Sequence, residues 1–409
     1  MKGILKFSCL ANVFEWYEFV LFAYLATAIA HNFFQSESTA TQLIQVFFVF
    51  SSSYLIRPIG SYCFGYIGDK YTPALAVKIA MVIMAIPTIL IGLLPSYAQL
   101  GVLAPILLIL LRLIQGFAAG GELPLFASYL YGITKHSEHR TFLCGLVNIG
   151  GMIGVLLASL TVFLLHQTFE SNTIQNWAWR IPFLCALPLS IFIIWSRYTM
   201  IDRYHHAGVI IQETHVCQGL NVQFLTTFLK AFVMMSFLQV SFYLLFVWMP
   251  SYLEVFGNIP HHIAKTSNTM ALLTLLIMTV MCSYLSKYID YKKLIISSIV
   301  LSIVLTIPLF LFLNHHLQPT ITTITLSQIL FAIINAPIQG TYLYAICHSF
   351  TSGYANRGIS LSYTLPTALF GGTAPLICSY VIHSLGLTIF PGVYIVIFAI
   401  LALLAVILL

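Results

Sequence analysis

Long apolar runs separated by short polar breaks follow one another along the whole chain. They are Phe7–Ala30, Leu43–Ile67, Leu75–Leu94, Leu100–Tyr131, Phe142–His166 and Trp179–Arg197. After a more polar stretch come Phe224–Leu253, Ile263–Leu285, Leu294–Asn314, Ile321–Ile346, Gly358–Ile382 and Leu387–Leu409. Most reach about 20 residues, the length a helix needs to cross a bilayer. None shows the two-residue alternation of a membrane β-strand. The pattern predicts an all-α protein of twelve transmembrane helices. Six are expected in residues 1–198 and six in residues 224–409, with a cytoplasmic connector at 199–223.

Composition places the chain in lipid. Hydrophobic residues make up 60% and charged residues 7%, against about 25% charged in a soluble domain, and the mean hydropathy is +0.96. So little charge could not cover a water-facing surface. The first run holds two glutamates and no obvious small-residue cleavage site, so it is expected to be a retained helix rather than a signal peptide. The formal charge of +6 is not gathered into a cluster that would suit nucleic acid. With the N-terminus inside, most basic residues, from Lys2 and Lys6 through Lys70, Arg140 and Lys287 to Arg357, fall at cytoplasmic ends. That asymmetry predicts a multi-pass protein of the cytoplasmic (inner) membrane with both termini inside.

Eight cysteines, nearly all within spans or at their edges, read as small apolar filler, and the histidines fall mostly in loops. Neither shows metal-ligand spacing. No cofactor is expected, nor an enzyme, because the spans hold no Ser/His/Asp set and the chain no phosphate loop.

Away from the ends of the spans, charge is confined to Glu15, Glu18, Arg57, Arg112 and Glu122, all in the first half, and the interior of the second-half spans is expected to hold none. Each such group costs roughly 2.5–3.5 kcal/mol even on the mildest scale, so it is seldom placed there without a task. Glu15 and Glu18 share one helical face with Asn12. Two like charges together in low dielectric suit proton exchange. For Glu15 the alternative is a place in the interfacial belt beside Trp16 and Tyr17. Arg112, near the middle of its span, either pairs with a first-helix glutamate or offers a bidentate fork to a substrate carboxylate. An Arg57–Glu122 contact fits the spacing. In the second half, Tyr243, Asn335, Gln339 and Tyr342 are the polar in-span candidates, with helix packing as the alternative for each.

Several motifs carry a resemblance. Gly65, Asp69 and Lys70 match the loop between helices two and three of the major facilitator superfamily, and Arg112, Gln115 and Gly116 match its helix-four motif. Within that superfamily the chain resembles the metabolite:proton symporters, which include proline/betaine, 2-oxoglutarate, citrate and shikimate permeases. The matching segments include Asn12–Phe19, Ile56–Gly60, Trp177–Phe183, Met249–Leu253 and Phe370–Pro375, and the proline/betaine type gives the closest wording over the first 190 residues or so. Three departures stand out. Glu18 replaces a usual Asp, Asn148 stands where some members carry an acid, and Thr72, Pro73 and Ala74 replace the later glycine and basic residues of the loop.

The resemblance implies two pseudo-symmetric six-helix bundles around a central cavity and transport by alternating access. It implies that Asp69 caps a neighbouring helix and bonds Arg140, with Arg357 in the matching layer. The combined expectation is proton-coupled uptake of a small carboxylate-bearing metabolite. Glu15 and Glu18 would handle the proton. Asn12, Tyr17, Arg112, Gln115, Asn148, Tyr243, Asn335 and Gln339 would face the substrate. Arg57, Asp69, Lys70, Glu122, Arg140 and Arg357 would gate. The expected partners are the substrate, protons and the bilayer, with a monomer as the working unit. Export of a drug or siderophore on the same fold, or a non-transporting membrane sensor, are the alternatives.

Overall fold

The computed structural model describes residues 2–36, 38–70, 73–120, 131, 137–185, 222–315, 321–350 and 355–407. Residues 199–221 of the expected connector and Glu122 lie outside the described residues, as do the side chains of Asp69, Lys70 and Arg357, while Val222 and Gln223 open a helix instead. The first half comprises α1 (Lys2–Tyr24), α2 (Ala26–Phe33), α3 (Thr39–Leu55), α4 (Arg57–Lys70), α5 (Pro73–Leu93), α6 (Leu103–Ala118) and α7 (Ser137–Thr168). The second half comprises α8 (Val222–Phe242), α9 (Met249–Val255), α10 (His261–Leu285), α11 (Tyr291–His315), α12 (Ile321–Ser349), α13 (Ala355–Pro366), α14 (Ala374–Leu385) and α15 (Phe390–Ile407). Among the described residues, eight helical stretches are long and apolar enough to cross a membrane. Large apolar side chains such as Leu110, Ile277, Val304 and Leu404 face outward, as lipid contact requires.

Two expected single helices are broken, each beside the future site. The run Phe7–Ala30 parts at Leu25, whose φ of −101° and ψ of 16° leave the helical region. The run Leu43–Ile67 parts at Ile56, between α3 and α4. Pro58 explains the second break, because it cannot donate to the carbonyl four residues back and its ring crowds that turn.

Widened π-helical turns appear at Tyr243–Trp248 and Thr367–Gly371, close to Pro250 and Pro366. Pro250 lacks the N–H that would bond the Phe246 carbonyl, so that oxygen is available to another partner.

α1 packs along α7, and α6 packs against α3 and α5. Glycine permits the closest of these approaches: a Cβ on Gly116 would lie 1.8 Å from the Ser53 carbonyl oxygen, and one on Gly154 2.0 Å from that of Val13. Across the halves, α7 packs against α10 and α12, and α3 against α14.

The second half buries a charged pair close to the ends of two helices. α9 runs on to Val255 and α10 begins at His261, so Glu254 and Lys265 both lie in helices and are buried. Their Oε1–Nζ distance is 2.7 Å, and each charge is neutralised by the other.

Candidate functional site

The middle of α1 carries a row of buried groups where the halves meet. Two guanidiniums lie against the ring of Phe19, with Cζ of Arg57 at 4.1 Å and Cζ of Arg112 at 4.6 Å from its centre. Arg57 also lies 4.3 Å from the Tyr54 ring centre, and Arg112 4.2 Å from that of Phe22. In a desolvated setting each such cation–π contact contributes about 2 kcal/mol, which offsets part of the cost of burying the cation. The break at Ile56 and the close approach at Gly116 bring Arg57 into this layer beside Arg112.

Arg112 reaches Glu18 through two intermediaries. Its Nη1 donates to Gln115 Oε1 at 2.9 Å, and Gln115 Nε2 donates to Thr88 Oγ1 at 2.6 Å. Thr88 Oγ1 in turn donates to Glu18 Oε2 at 2.9 Å. All four side chains are buried. The Met84 carbonyl lies 3.1 Å from the same Thr88 hydroxyl, so its single proton has two acceptors within reach. Glu15 is half-buried and lies within electrostatic reach of Arg57, Tyr54 and Tyr363.

Aromatic rings continue the layer into the second half. Tyr54 and Tyr243 meet edge to face at 5.1 Å, Phe50 and Tyr243 at 6.2 Å, and Trp16 and Tyr243 stack at 6.4 Å.

The other expected substrate residues divide into three groups. Asn12 Nδ2 donates to the Val147 carbonyl at 3.0 Å and fastens α1 to α7, while the Tyr17 hydroxyl points at the Pro182 carbonyl at a marginal 3.5 Å. Asn148 joins the halves: its Nδ2 donates to the Gln339 carbonyl at 2.9 Å, and its Oδ1 accepts from Tyr342 at 3.0 Å. Asn335 Nδ2 donates to the Phe331 carbonyl of its own helix at 3.0 Å. Of the expected gating residues, Arg140 stacks its guanidinium 4.7 Å from the Tyr131 ring centre, and Tyr131 bonds His348 Nδ1 of the second half at 3.0 Å.

A second meeting point lies at the opposite end, around the break between α1 and α2. Tyr24 donates its hydroxyl to the Phe246 carbonyl at 2.8 Å, the oxygen that Pro250 leaves available. The Tyr24 carbonyl accepts from Lys265 Nζ at 2.9 Å. Glu254 also lies 3.1 Å from His261 Nδ1, and the His261 ring stacks on His166 of α7 with centres 5.7 Å apart. Tyr24, Glu254, Lys265 and Thr88 are not among the site residues expected from the sequence. A run of Pro-containing motif at Met249–Leu253 beside a lone acid was the available signal for the Glu254 cluster.

A helical membrane protein in two halves, with charged groups gathered where they meet, has the build of a secondary transporter. The chain belongs to the Major Facilitator Superfamily, whose family model matches residues 8–365. It is 27% identical to the proline/betaine transporter of Salmonella typhimurium and 27% identical to the ectoine/proline transporter ProP of Corynebacterium glutamicum. Each match covers 98% of this chain and 82% of the relative. The xylose transporter XylE from E. coli, solved in a partially occluded inward-open conformation, superposes with a TM-score of 0.73 at 14% identity. That superposition covers 99% of this chain and 95% of XylE and shows the shared twelve-helix fold.

Proposed function

We propose that the chain is a proton-coupled symporter that takes up a small carboxylate-bearing metabolite by alternating access, with a zwitterion such as proline or betaine as the favoured class. The observation that carries this reading is the buried line Arg112–Gln115–Thr88–Glu18. It ties a cation suited to a substrate carboxylate to a carboxylate suited to a proton. The names of the relatives at 27% identity support the substrate class.

Thr88 gives the line two states. When Glu18 is ionised, Thr88 donates to it. When Glu18 holds a proton, the acid donates to Thr88 Oγ1 and the hydroxyl turns to the Met84 carbonyl, so neither state leaves a buried donor unmet. A substrate carboxylate that engages Arg112 loosens the Gln115 end, and the rearrangement reaches Glu18 without a direct contact. The contacts at Asn148 and at Tyr24 then break in turn as one end opens and the other closes. Both halves and every group of the line lie in one chain, which supports a monomer as the working unit. The basic residues at span ends support cytoplasmic termini in the inner membrane.

The test is substrate-induced proton movement. Proteoliposomes loaded with a pH-sensitive dye should acidify inside when proline or betaine is added outside at zero membrane potential. Uptake of labelled substrate without acidification would show a uniporter and refute the coupling.

A further inference from the structure

We propose that Arg57, Arg112 and the hydroxyls of Tyr54 and Tyr243 form a carboxylate clamp that bridges the two halves, so that Arg57 binds substrate rather than serving only as a gate. The proposal rests on the transport reading above and deepens it. Its basis is a cluster of buried polar atoms that have no hydrogen-bond partner among the described residues: Arg57 Nε, Arg112 Nε and Nη2, Tyr54 Oη and Tyr243 Oη. The four side chains are all at least 95% buried, and buried polar atoms are nearly always satisfied, so each exception calls for a partner.

The chemistry of the orphans selects that partner. A guanidinium donates and cannot accept, so the three arginine nitrogens require an acceptor. The two hydroxyls lie close enough to interact with each other, yet among the described residues neither completes a well-formed hydrogen bond. An ionised carboxylate offers about four lone-pair sites and matches the planar fork of arginine, whereas an ammonium would bring donors against donors and an amide offers a single uncharged acceptor oxygen beside its own donors.

Position supports the same ligand. Arg57 and Arg112 share Phe19 as a common wall, and Arg57 also stacks on Tyr54. Tyr54 meets Tyr243 at 5.1 Å. The second half is held against Tyr54 by glycine: a Cβ on Gly372 would lie 2.4 Å from Tyr54 Cγ, while within the second half one on Gly371 would lie 2.8 Å from Tyr243 Cδ2. Three clamp residues come from the first half and Tyr243 from the second. A bound carboxylate therefore draws the halves together, and a substrate without one leaves the Tyr243 hydroxyl unmet. Such a site rejects the analogue that lacks the group far more strongly than a purely apolar pocket could.

The experiment measures binding to the purified full-length chain by calorimetry, with L-proline and glycine betaine as carboxylate probes and L-prolinamide and choline as counterparts without the carboxylate. At least one carboxylate should bind, and its counterpart about tenfold more weakly or worse. Tyr243→Phe keeps the ring packing and should weaken carboxylate binding about tenfold, as should Arg57→Lys, which keeps the charge but loses the fork. Equal binding of acid and counterpart, or wild-type affinity in both variants, would overturn the clamp. If the variants fail as expected while uptake moves no protons, the clamp stands and the symport reading falls. If protons move with wild-type affinity in both variants, the reverse holds.

Discussion

Lys265 Nζ donates to the main-chain carbonyl of Tyr24 at 2.9 Å, and so ties the second half to the first at the break between α1 and α2. The lysine is itself held by Glu254 at 2.7 Å. Tyr24 returns a bond of 2.8 Å through its hydroxyl to Phe246. Lys265→Met keeps the length of the side chain but strands a buried carboxylate, and should cost about 3–5 kcal/mol. The double change Glu254→Gln with Lys265→Met removes both charges and should regain most of that loss. Thermal unfolding of the two variants checks it, and a double variant as unstable as the single would show that the pair matters for something other than charge balance.

The Thr88 hydroxyl links Gln115 to Glu18. Thr88→Val preserves shape and removes the hydroxyl, so it should lower substrate uptake by about tenfold. Thr88→Ser retains the hydroxyl and should stay near the wild-type rate. Uptake in proteoliposomes at matched protein content separates the two, and equal loss in both would assign Thr88 to packing.

Gly116 and Gly386 separate close approach from backbone conformation. A Cβ on Gly116 would meet the Ser53 carbonyl oxygen at 1.8 Å, and main chain cannot step aside. Gly386 has a φ of +69° and nothing within 4 Å of the added atom. Gly116→Ala should cost about 1–3 kcal/mol or more, and Gly386→Ala roughly 1 kcal/mol. A melting temperature lowered further by Gly386→Ala than by Gly116→Ala would contradict the helix contact.

Asn148 closes the other end of the seam by bonding Gln339 and Tyr342. Asn148→Ala leaves those partners unmet, at about 1–3 kcal/mol, and should favour the state in which that end is open. Cys144 lies one turn earlier on α7 and is buried. Its alkylation by a small maleimide, followed by mass spectrometry, should quicken in the variant. An unchanged rate would place the Asn148 contacts outside the gating motion.

What the sequence disclosed depended on contrast. Glu15, Glu18, Arg57 and Arg112 stand out because a charge inside an apolar run is rare, and the helical runs followed from length and hydropathy. Thr88 offered no such contrast: threonines elsewhere, such as Thr161, Thr168 and Thr274, bond their own helix four residues back. Tyr54 and Phe19 are lost among a composition that is 14% aromatic. Glu254 and Lys265 sit near span ends, where charge is ordinary, and their pairing depends on how α9 and α10 turn toward each other. The breaks at Leu25 and Ile56 set the site's geometry. Pro58 forecasts the second, while nothing in the residues around Leu25 forecasts the first.

If Glu18 carries the coupled proton, as proposed above, Glu18→Gln is the sharpest probe of it. The amide keeps an oxygen that Thr88 can bond, so binding and exchange should survive. In proteoliposomes the variant should still exchange labelled for unlabelled substrate at a rate near wild type, and should lose accumulation driven by an inward proton gradient. Gradient-driven accumulation at the wild-type level in Glu18→Gln would contradict the account.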